Sequence, residues 1–422
     1  MMISTQANFT AEVIDGDPAQ GVIAPFARRG AAPRVDTRRS VAIVHDWCPS
    51  FRGGERVLAR FCKMFPGSDV YTLFDFLPRE IKDTYFPGVN FHVSAANRLP
   101  MVKRFYRHLF FLCPFLMEQF DVTDHDVVIS SSAAFARGVI THPDQLHVCY
   151  VHSPVRYAWD EQFSYLEEGK LGYSLKGLIY RRMLHRLRMW DARTAHGPDI
   201  MLANSEYVRR RIRKVYGRDA TVVHPPVDLD ELVYTSHKDD YYVTASFLAP
   251  YKRTDLVVKA FNEMPERRLL VVGDGQQSAK LRELAGPNVH FLGYMPRADY
   301  VRTVAGARAL VFAGCEDFGI ALAEAQACGT PLIAFERGGA CDIVRPLGKM
   351  SDPTGVLFAK QSVRHIRDSV ELFERREAEI RAEACRENAL RFSTERFDAD
   401  IDAVINLALE GGVQGSGMRQ TA

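Results

Sequence analysis

Short apolar runs recur along the 422-residue chain, and segments with helical spacing of apolar residues separate them. The apolar runs predict twelve strands, at 40–46, 69–74, 125–130, 146–152, 199–204, 220–224, 241–246, 268–273, 288–293, 307–313, 331–335 and 355–359. Runs without alternation are typical of strands that helices bury on both faces of a parallel sheet. The pattern therefore predicts two doubly wound α/β units, with their seam in the polar stretch 227–242.

These units divide the chain into an N-terminal domain, 39–235, and a C-terminal domain, 236–388. A final helix, 389–410, is a candidate to cross back to the N-terminal domain. Residues 1–38 lack the apolar core of a signal peptide and are predicted to be a disordered lead-in. The glycine-rich residues 411–422 are predicted to be a flexible tail. No run reaches the roughly 18 apolar residues that span a bilayer.

Composition adds little to this picture. With 47% hydrophobic residues, 25% charged residues and a net charge of +2, the chain has ordinary globular composition and no sign of nucleic-acid binding. None of the eight cysteines stands in a C-x-x-C motif or near a histidine at zinc-like spacing. We expect buried free thiols in a reducing compartment.

Candidate ligand-binding residues stand where strands end, because ligands of open α/β sheets bind at the carboxyl ends of the strands. Gly53-Gly54 follow the first strand and precede a helix, so that backbone N–H groups could approach an anion; a plain tight turn is the alternative. His152 ends a buried strand, where either chemistry or a hydrogen-bonded core histidine is expected. His45 and Asp46 end the first strand in the same way and are weaker candidates.

Two cations, Lys252 and Arg253, stand just before a predicted helix. A cation at a helix start opposes the helix dipole, so the pair indicates a bound anion, although solvated surface charge is a fair alternative. Gly273 lies in another strand-to-helix turn, "VVGDGQQ". That turn is a weak signal because it matches neither the dinucleotide fingerprint nor a P-loop.

The stretch "EDFGIALAEAQACG", 316–329, carries two carboxylates among small and apolar residues. A helix must begin near Phe318-Gly319, so Glu316 lies on the preceding turn and Glu324 on the helix. Both could then hold one elongated polar ligand at different points. The alternatives are helix capping for Glu316 and Asp317 and an ordinary solvated position for Glu324.

The Glu-x7-Glu spacing in "EDFGIALAE" resembles the signature of the retaining GT-B glycosyltransferases of family 4. The resemblance covers about residues 40–405. "VAIVHDWCPSFRGGERVL", "ANSEYVRRRI" and "PYKRTDLVVKAFN" are similar to motifs of bacterial mannosyltransferases that build O-antigen and exopolysaccharide repeats. The resemblance implies the GT-B fold, in which two Rossmann-like parallel-sheet domains face a central cleft. The N-terminal domain would take the acceptor, and the C-terminal domain the nucleotide-sugar.

The resemblance also implies roles for individual residues. His152 and Glu316 would be the catalytic pair beside the transferred sugar, with Glu316 contacting sugar hydroxyls. Lys252 would bind the diphosphate, and Glu324 the ribose diol, as suits an ionised carboxylate that accepts from two donors. The other implied substrate-binding positions are Gly53, Gly54, Asp317, Phe318, Gly319, Ile320 and, near the base, Gly273.

A nucleoside diphosphate leaves as a stable anion, so fixed positive charge helps more than a general acid. No D-x-D motif stands at the relevant turns. We therefore expect transfer with retention, without a metal ion or cofactor. One departure is Phe247, where family members commonly carry an arginine; Arg253 is a candidate substitute. A smaller departure is Asp342, where glutamate is frequent.

The acceptor is less defined. Segments 97–120 and 175–193 mix arginines with large apolar residues. They predict either a core stripe with solvated arginines or contact with the inner face of the cytoplasmic membrane and a polyprenyl-diphosphate-linked acceptor. GDP-mannose is the expected donor by resemblance, and a UDP-sugar is the alternative. The rival functions are a non-catalytic two-domain nucleotide-sugar-binding protein and, among enzymes, a sugar phosphorylase or epimerase.

Overall fold

The computed structural model describes residues 39–169, 171–172 and 174–416. The predicted lead-in, 1–38, lies outside the described residues. Within them the strands form two separate parallel sheets, each with helices on its faces. This confirms the predicted α/β fold of two Rossmann-like domains, and all twelve predicted strands are present.

The N-terminal sheet has the strand order β3-β2-β1-β4-β5-β6-β7. Its strands are β1 Val41–His45, β2 Asp69–Thr72, β3 Asn90–Val93, β4 Val127–Ser132, β5 Leu146–Val151, β6 Ile200–Ala203 and β7 Thr221–Val222. The central strands β1 and β4 are buried along their whole length. The sequence did not predict β3, because this edge strand alternates exposed and half-buried side chains and has no apolar run.

The C-terminal sheet has the strand order β10-β9-β8-β11-β12-β13. Its strands are β8 Tyr242–Ala245, β9 Leu269–Val272, β10 Val289–Gly293, β11 Ala309–Phe312, β12 Leu332–Phe335 and β13 Gly355–Phe358. Three of these, β8, β9 and β11, are buried throughout. In both domains the order reverses beside the first strand, which opens a crevice at the carboxyl edge of the sheet.

Helices connect the strands and cover both sheets. The N-terminal domain has α1 Gly53–Met64, α2 Arg79–Tyr85, α3 Val102–Phe105, α4 Cys113–Met117, α5 Gln162–Glu168, α6 Leu175–Thr194 and α7 Glu206–Tyr216. The remaining helices are α8 Thr254–Asn262, α9 Ser278–Leu284, α10 Arg297–Gly306, α11 Ile320–Ala327, α12 Ala340–Ile343, α13 Val363–Arg375, α14 Ala382–Ala389 and α15 Thr394–Ser416.

Helix α15 packs on the N-terminal domain although it follows the C-terminal domain in sequence. The ring of Phe397 lies 5.5 Å from that of Phe61 and 5.8 Å from that of Tyr150, measured between centroids. Arg60 also donates to Asp398 from Nε at 2.6 Å. The helix begins at Thr394, after a 3₁₀ turn, and ends at Ser416, so part of the predicted flexible tail 411–422 is helical.

A buried ion pair between Arg137 and Asp191 anchors the C-terminal half of α6. The Asp191 carboxylate also accepts from Trp159 Nε1 at 2.6 Å and from the Tyr216 hydroxyl at 3.0 Å. An ion pair removed from water needs such additional hydrogen bonds, because the desolvation of both charges is costly.

All eight cysteines are free, as predicted, and six of them are buried. The expectation of burial is wrong for Cys341, which is exposed, and Cys315 is half-buried. Among the described residues, none of the helices has the length and apolar character to cross a membrane.

Candidate functional site

The carboxyl ends of the two sheets face each other across a cleft that contains two cavities. The inner cavity has a volume of about 360 Å³. Most of the predicted site residues line it, namely Gly53, Gly54, His152, Lys252, Glu316, Asp317, Phe318, Gly319 and Ile320. The fold thus brings together side chains that are up to 267 positions apart in the sequence (53 to 320).

His152 lies at the end of β5 as a neutral imidazole. Its Nε2 is 2.8 Å from the Ser131 hydroxyl, which is also 3.1 Å from Nδ1 of His45. Burial, followed by the nearby His45, lowers the pKa of His152 to about 3. A neutral imidazole can exchange hydrogen bonds with a sugar hydroxyl, but it brings no positive charge to a diphosphate.

Lys252 brings the positive charge. It ends a 3₁₀ turn, Pro250–Lys252, and its Nζ contacts the Glu316 carboxylate from the loop after β11. Burial lowers the pKa of Lys252 to about 7, and the Arg156 charge adds to this effect. The contact with Glu316 places this lysine at the wall of the inner cavity, where its ammonium form would meet an anionic ligand.

The glycines at the start of α1 allow the two domains to approach closely. A Cβ atom at Gly53 would lie 3.1 Å from Cδ1 of Ile320, which belongs to the other domain. At Gly54 it would lie 3.6 Å from Cε1 of His45. Larger side chains here would fill the space between the helix start and the inner cavity. The Gly53-Gly54 pair in the sequence therefore indicates close packing of the domains as well as access to backbone N–H groups.

A left-handed glycine shapes the start of α11. Gly319 has φ +95° and directly precedes the first helical residue, Ile320. The first N–H groups of a helix have no partner within it, and here the helix start borders the inner cavity. Phe318 is buried and stacks on His224 at 5.4 Å between ring centroids. This contact holds the loop that precedes α11 in place.

Asp317 connects the two domains through its side chain. Its carboxylate accepts from Arg156 Nη2 at 2.6 Å and from Arg211 Nη1 at 3.0 Å, both in the N-terminal domain. Its backbone oxygen accepts from the Ser205 hydroxyl at 2.5 Å. The alternative of helix capping does not describe this carboxylate, because it pairs with two arginines of the other domain. The sequence analysis missed both arginines as site residues, although Arg211 lies in "ANSEYVRRRI", one of the motifs that carry the family resemblance.

Glu324 is buried, so the alternative of a solvated position is wrong. Its Oε1 accepts from Arg56 Nη1 of α1 at 2.9 Å and lies 2.7 Å from Arg297 Nη2. Its Oε2 accepts from the Tyr300 hydroxyl at 3.2 Å. The carboxylate does not line the inner cavity. A ribose on Glu324 therefore has to share or replace these donors, and the role stays a prediction.

Arg253 does not join Lys252 in the inner cavity. It has φ +54°, and its Nε lies 3.2 Å from Oδ1 of Asp255. It lines an outer cavity of about 1030 Å³ that also lies between the domains. Phe247 borders both cavities and carries the Arg52 guanidinium 4.7 Å above its ring centroid.

Gly273 lines neither of these two cavities. It has φ +120°, and a Cβ atom there would collide with the backbone oxygen of Ser246. The glycine is thus required for the packing of this turn against the end of β8. Contact with a base stays a prediction.

The smaller departure in the sequence, Asp342, has a structural role in the cleft. Its Oδ2 accepts from the Glu206 N–H at 2.7 Å, at the start of α7 in the other domain. Burial raises the pKa of Asp342 to about 6. Within the described ranges, the histidine, cysteine and acidic side chains form no group of three that could hold a metal ion, and the expected independence of metal stays a prediction.

Two family models match this chain. The family 4 glycosyltransferase model matches residues 51–231, and the glycosyl transferases group 1 model matches residues 233–392. Each match falls on one of the two sheets. Together they cover most of the described chain.

Curated relatives are similar over part of their length. A GDP-mannose-dependent monoacylated alpha-(1-6)-phosphatidylinositol monomannoside mannosyltransferase of Corynebacterium glutamicum is 31% identical, over 35% of this chain and 47% of its own. A D-inositol 3-phosphate glycosyltransferase of Mycobacterium avium is 27% identical, over 49% of this chain and 54% of its own. The chain therefore spans about half the length of these relatives.

Solved structures share the fold over almost their whole length. Sucrose-phosphate synthase from Thermosynechococcus elongatus has a TM-score of 0.67 at 16% identity, over 88% of this chain and 100% of its own. Anabaena HepE in complex with UDP and glucose has a TM-score of 0.63 at 16% identity, over 87% of this chain and 99% of its own. Two matched domains and this fold lead to one conclusion: the chain belongs to the GT-B glycosyltransferases, with a family 4 N-terminal domain and a group 1 C-terminal domain.

Proposed function

We propose that this protein is a retaining glycosyltransferase that moves mannose from GDP-mannose to a lipid-linked glycan acceptor in the synthesis of cell-surface polysaccharide. One observation supports this most: His152, Lys252 and Glu316 converge with two helix starts in one interdomain cavity. A nucleotide-sugar there would have its diphosphate at the lysine and its sugar between the histidine and the glutamate.

The proposed mechanism relies on fixed positive charge. As the bond between the sugar and the diphosphate breaks, negative charge grows on the leaving phosphate. Lys252 and the N–H groups at the start of α11 stabilise that charge without reorganisation. The carboxylate of Glu316 accepts hydrogen bonds from sugar hydroxyls. The neutral imidazole of His152 can donate a hydrogen bond to a sugar hydroxyl or accept one from it. The acceptor hydroxyl oxygen bonds to the anomeric carbon on the face that the diphosphate leaves, and its proton passes to the leaving phosphate. Attack on that face retains the anomeric configuration.

The donor assignment draws on the relatives. The Corynebacterium enzyme is named for its use of GDP-mannose. Because HepE was crystallised with UDP and glucose, a UDP-sugar is the second candidate donor. A thermal-shift panel of nucleoside diphosphates decides between them, since a ligand at 100 times its dissociation constant stabilises by about 2.7 kcal/mol.

Slow hydrolysis of the donor tests catalysis itself. We expect the protein alone to release the free sugar from the nucleotide-sugar that stabilises it most. Stabilisation without any release, with or without acceptor, would instead identify a non-catalytic binding protein.

The acceptor assignment draws on an exposed surface of the N-terminal domain. Large apolar side chains project from α5 and the outer half of α6: Phe163, Leu175, Leu178 and Ile179 are 73%, 76%, 51% and 54% exposed. Arg182 and Arg186 are exposed on the same helix. We call these six residues the apolar-basic surface. Deeper along α6, Leu184 and Leu187 are buried, so the core-stripe alternative holds for that half alone.

The apolar-basic surface is suited to an anionic membrane. Apolar side chains enter the interface, and arginines attract anionic headgroups. The acceptor would then be drawn from the inner face of the cytoplasmic membrane. The Corynebacterium relative is named for an acylated lipid acceptor, which supports this choice.

The first prediction concerns the ribose. Replacing Glu324 by Gln should weaken binding of the nucleoside diphosphate by about 1.5–3 kcal/mol, the usual loss for a hydrogen bond to a charged group. A 2′-deoxy ligand should lose little more in this variant, because both changes remove the same contact. Calorimetric titration of both proteins with both ligands measures the coupling; additive losses would contradict the assignment.

Arg56→Met is the matched control for this prediction. It removes one of the arginines on Glu324 and leaves the carboxylate in place. If the ribose competes with Arg56 for Oε1, this variant should bind the ligand at least as tightly as the wild type.

The second prediction concerns pH. The pKa of Lys252 is lowered to about 7, so the lysine is charged below pH 7 and loses its proton above it. A nucleotide-sugar, whose diphosphate diester keeps its charge over this range, binds the charged lysine, and its affinity should fall roughly tenfold between pH 6 and pH 8. Lys252→Arg keeps the charge over this range and should give a flat curve. Equal slopes for both proteins would contradict the role of Lys252.

The third prediction concerns the membrane. The protein should sediment with anionic vesicles at low salt and be released as salt shortens the Debye length. Arg182→Gln with Arg186→Gln should abolish sedimentation, whereas Arg364→Gln with Arg375→Gln, the same charge change on α13, should not. Phe163→Ser with Leu175→Ser should also weaken it at unchanged charge. Failure of the wild type to sediment at low salt would contradict membrane contact.

A further inference from the structure

The outer cavity is larger than the inner one and lies beside it in the same cleft. The α9 side of its wall belongs to the C-terminal domain, and Arg52, Arg107, Glu161 and Tyr165 belong to the N-terminal domain. Phe247 lies between the outer and the inner cavity, because it lines both of them. A molecule in the outer cavity would therefore reach the reacting groups past Phe247.

Cations outnumber carboxylates on the wall of the outer cavity. The five cations are Arg52, Arg107, Arg253, Lys259 and Lys280, and the three carboxylates are Glu161, Asp255 and Glu283. Asp255 lies within ion-pair distance of two of these cations, Arg253 at 3.2 Å and Lys259 at 3.9 Å. Glu161 pairs instead with Arg156, at 3.4 Å.

Three of the five cations, Arg52, Arg107 and Lys280, have no carboxylate within ion-pair distance in the described part of the chain, although the charge of Glu55 acts on Arg52. They come from three separate elements, the loop before α1, the turn after α3 and the helix α9. A single solvated helix face does not produce such convergence, since two domains contribute to it. Like charges that face one space repel each other, and a bound anion would relieve that repulsion.

Aromatic rings hold two of these cations in place. The Arg52 guanidinium lies over Phe247 at 4.7 Å, and that of Arg107 lies 5.6 Å from the Tyr106 ring centroid and donates to the Tyr106 hydroxyl at 3.1 Å. Stacked guanidinium groups lose little freedom when they bind an anion bidentately. Lys280 lies on α9 and lines the outer cavity from the C-terminal domain.

The outer cavity and the apolar-basic surface both include residues of α5. Tyr165 and Glu161 line the cavity, and the exposed Phe163 lies between them in sequence, at the start of α5. Phe111, which is 48% exposed, follows Arg107 by four residues in the sequence. An amphiphile held with its apolar chain on that surface would thus have its first polar group at the cations.

We propose that the outer cavity binds the phosphate or diphosphate group of an anionic lipid-linked acceptor through Arg52, Arg107 and Lys280, and that this contact presents the acceptor sugar to the inner cavity past Phe247. The inference rests on the proposed function, whose donor occupies the inner cavity. The acceptor phosphate is thus bound by Arg52, Arg107 and Lys280, whereas the donor diphosphate is bound by Lys252.

Farnesyl diphosphate is a suitable probe, because it combines a diphosphate with an apolar chain and needs no knowledge of the acceptor sugar. The full-length protein is first saturated with GDP or UDP, whichever stabilises it more, and then titrated with farnesyl diphosphate, pyrophosphate or farnesol. We expect farnesyl diphosphate to bind beside the nucleotide, more tightly than pyrophosphate, and farnesol to bind weakly.

The variants locate the site. Arg107→Gln with Lys280→Gln should weaken farnesyl diphosphate binding at least tenfold. Arg213→Gln with Lys214→Gln, which also removes one exposed arginine and one exposed lysine, from α7, should not. Glu283→Gln removes a carboxylate from the same wall and should strengthen binding.

Three results would overturn the proposal. Displacement of farnesyl diphosphate by the nucleotide would place the anion in the donor site. Equal affinity for pyrophosphate would make free diphosphate, rather than a lipid-linked group, the ligand. Equal affinity in the cavity variant and its α7 control would show that these cations bind no anion. Failure of the proposed function has a different signature, namely that the wild type hydrolyses none of the nucleotide-sugars tested.

Discussion

The cleft depends on one carboxylate, that of Asp317. Arg156 and Arg211 reach it from the N-terminal domain, and Ser205 binds the backbone oxygen of the same residue. Its neighbours in sequence are Glu316, which meets Lys252, and the loop that starts α11. Closure of the domains and the shape of the inner cavity are therefore coupled: a shift of one domain against the other displaces the residues on which the proposed chemistry relies.

The fold could be predicted well because its central strands are buried on both faces. Such strands leave continuous apolar runs, and each of the twelve predicted runs forms a strand. The edge strand Asn90–Val93 was missed because its side chains alternate between exposed and half-buried environments. An apolar run in the sequence indicates a buried strand, and none of the side chains of this strand is fully buried.

For the candidate site, the sequence showed which residues lie at strand ends but not what they contact. His152, Lys252 and Glu316 were found because each ends or follows a strand. The partners of Glu324 and Asp317 were not found, since Arg56 precedes Glu324 by 268 residues and Arg156 precedes Asp317 by 161. Arg253 was placed correctly at a helix start, yet its ion pair with Asp255 and its position in the outer cavity are tertiary details that no local pattern contains.

The crossing of α15 has a consequence for the order in which the chain folds during synthesis. Phe397, Ile401 and Ile405 complete the hydrophobic core around Phe61 and Tyr150. Domains generally fold as units while the ribosome is still translating, with the N-terminal one first. Here the N-terminal domain leaves the ribosome with part of its core uncovered, and that core is closed only after the whole C-terminal domain has been made. In the interval, the apolar surface that these three residues later cover stays exposed to water.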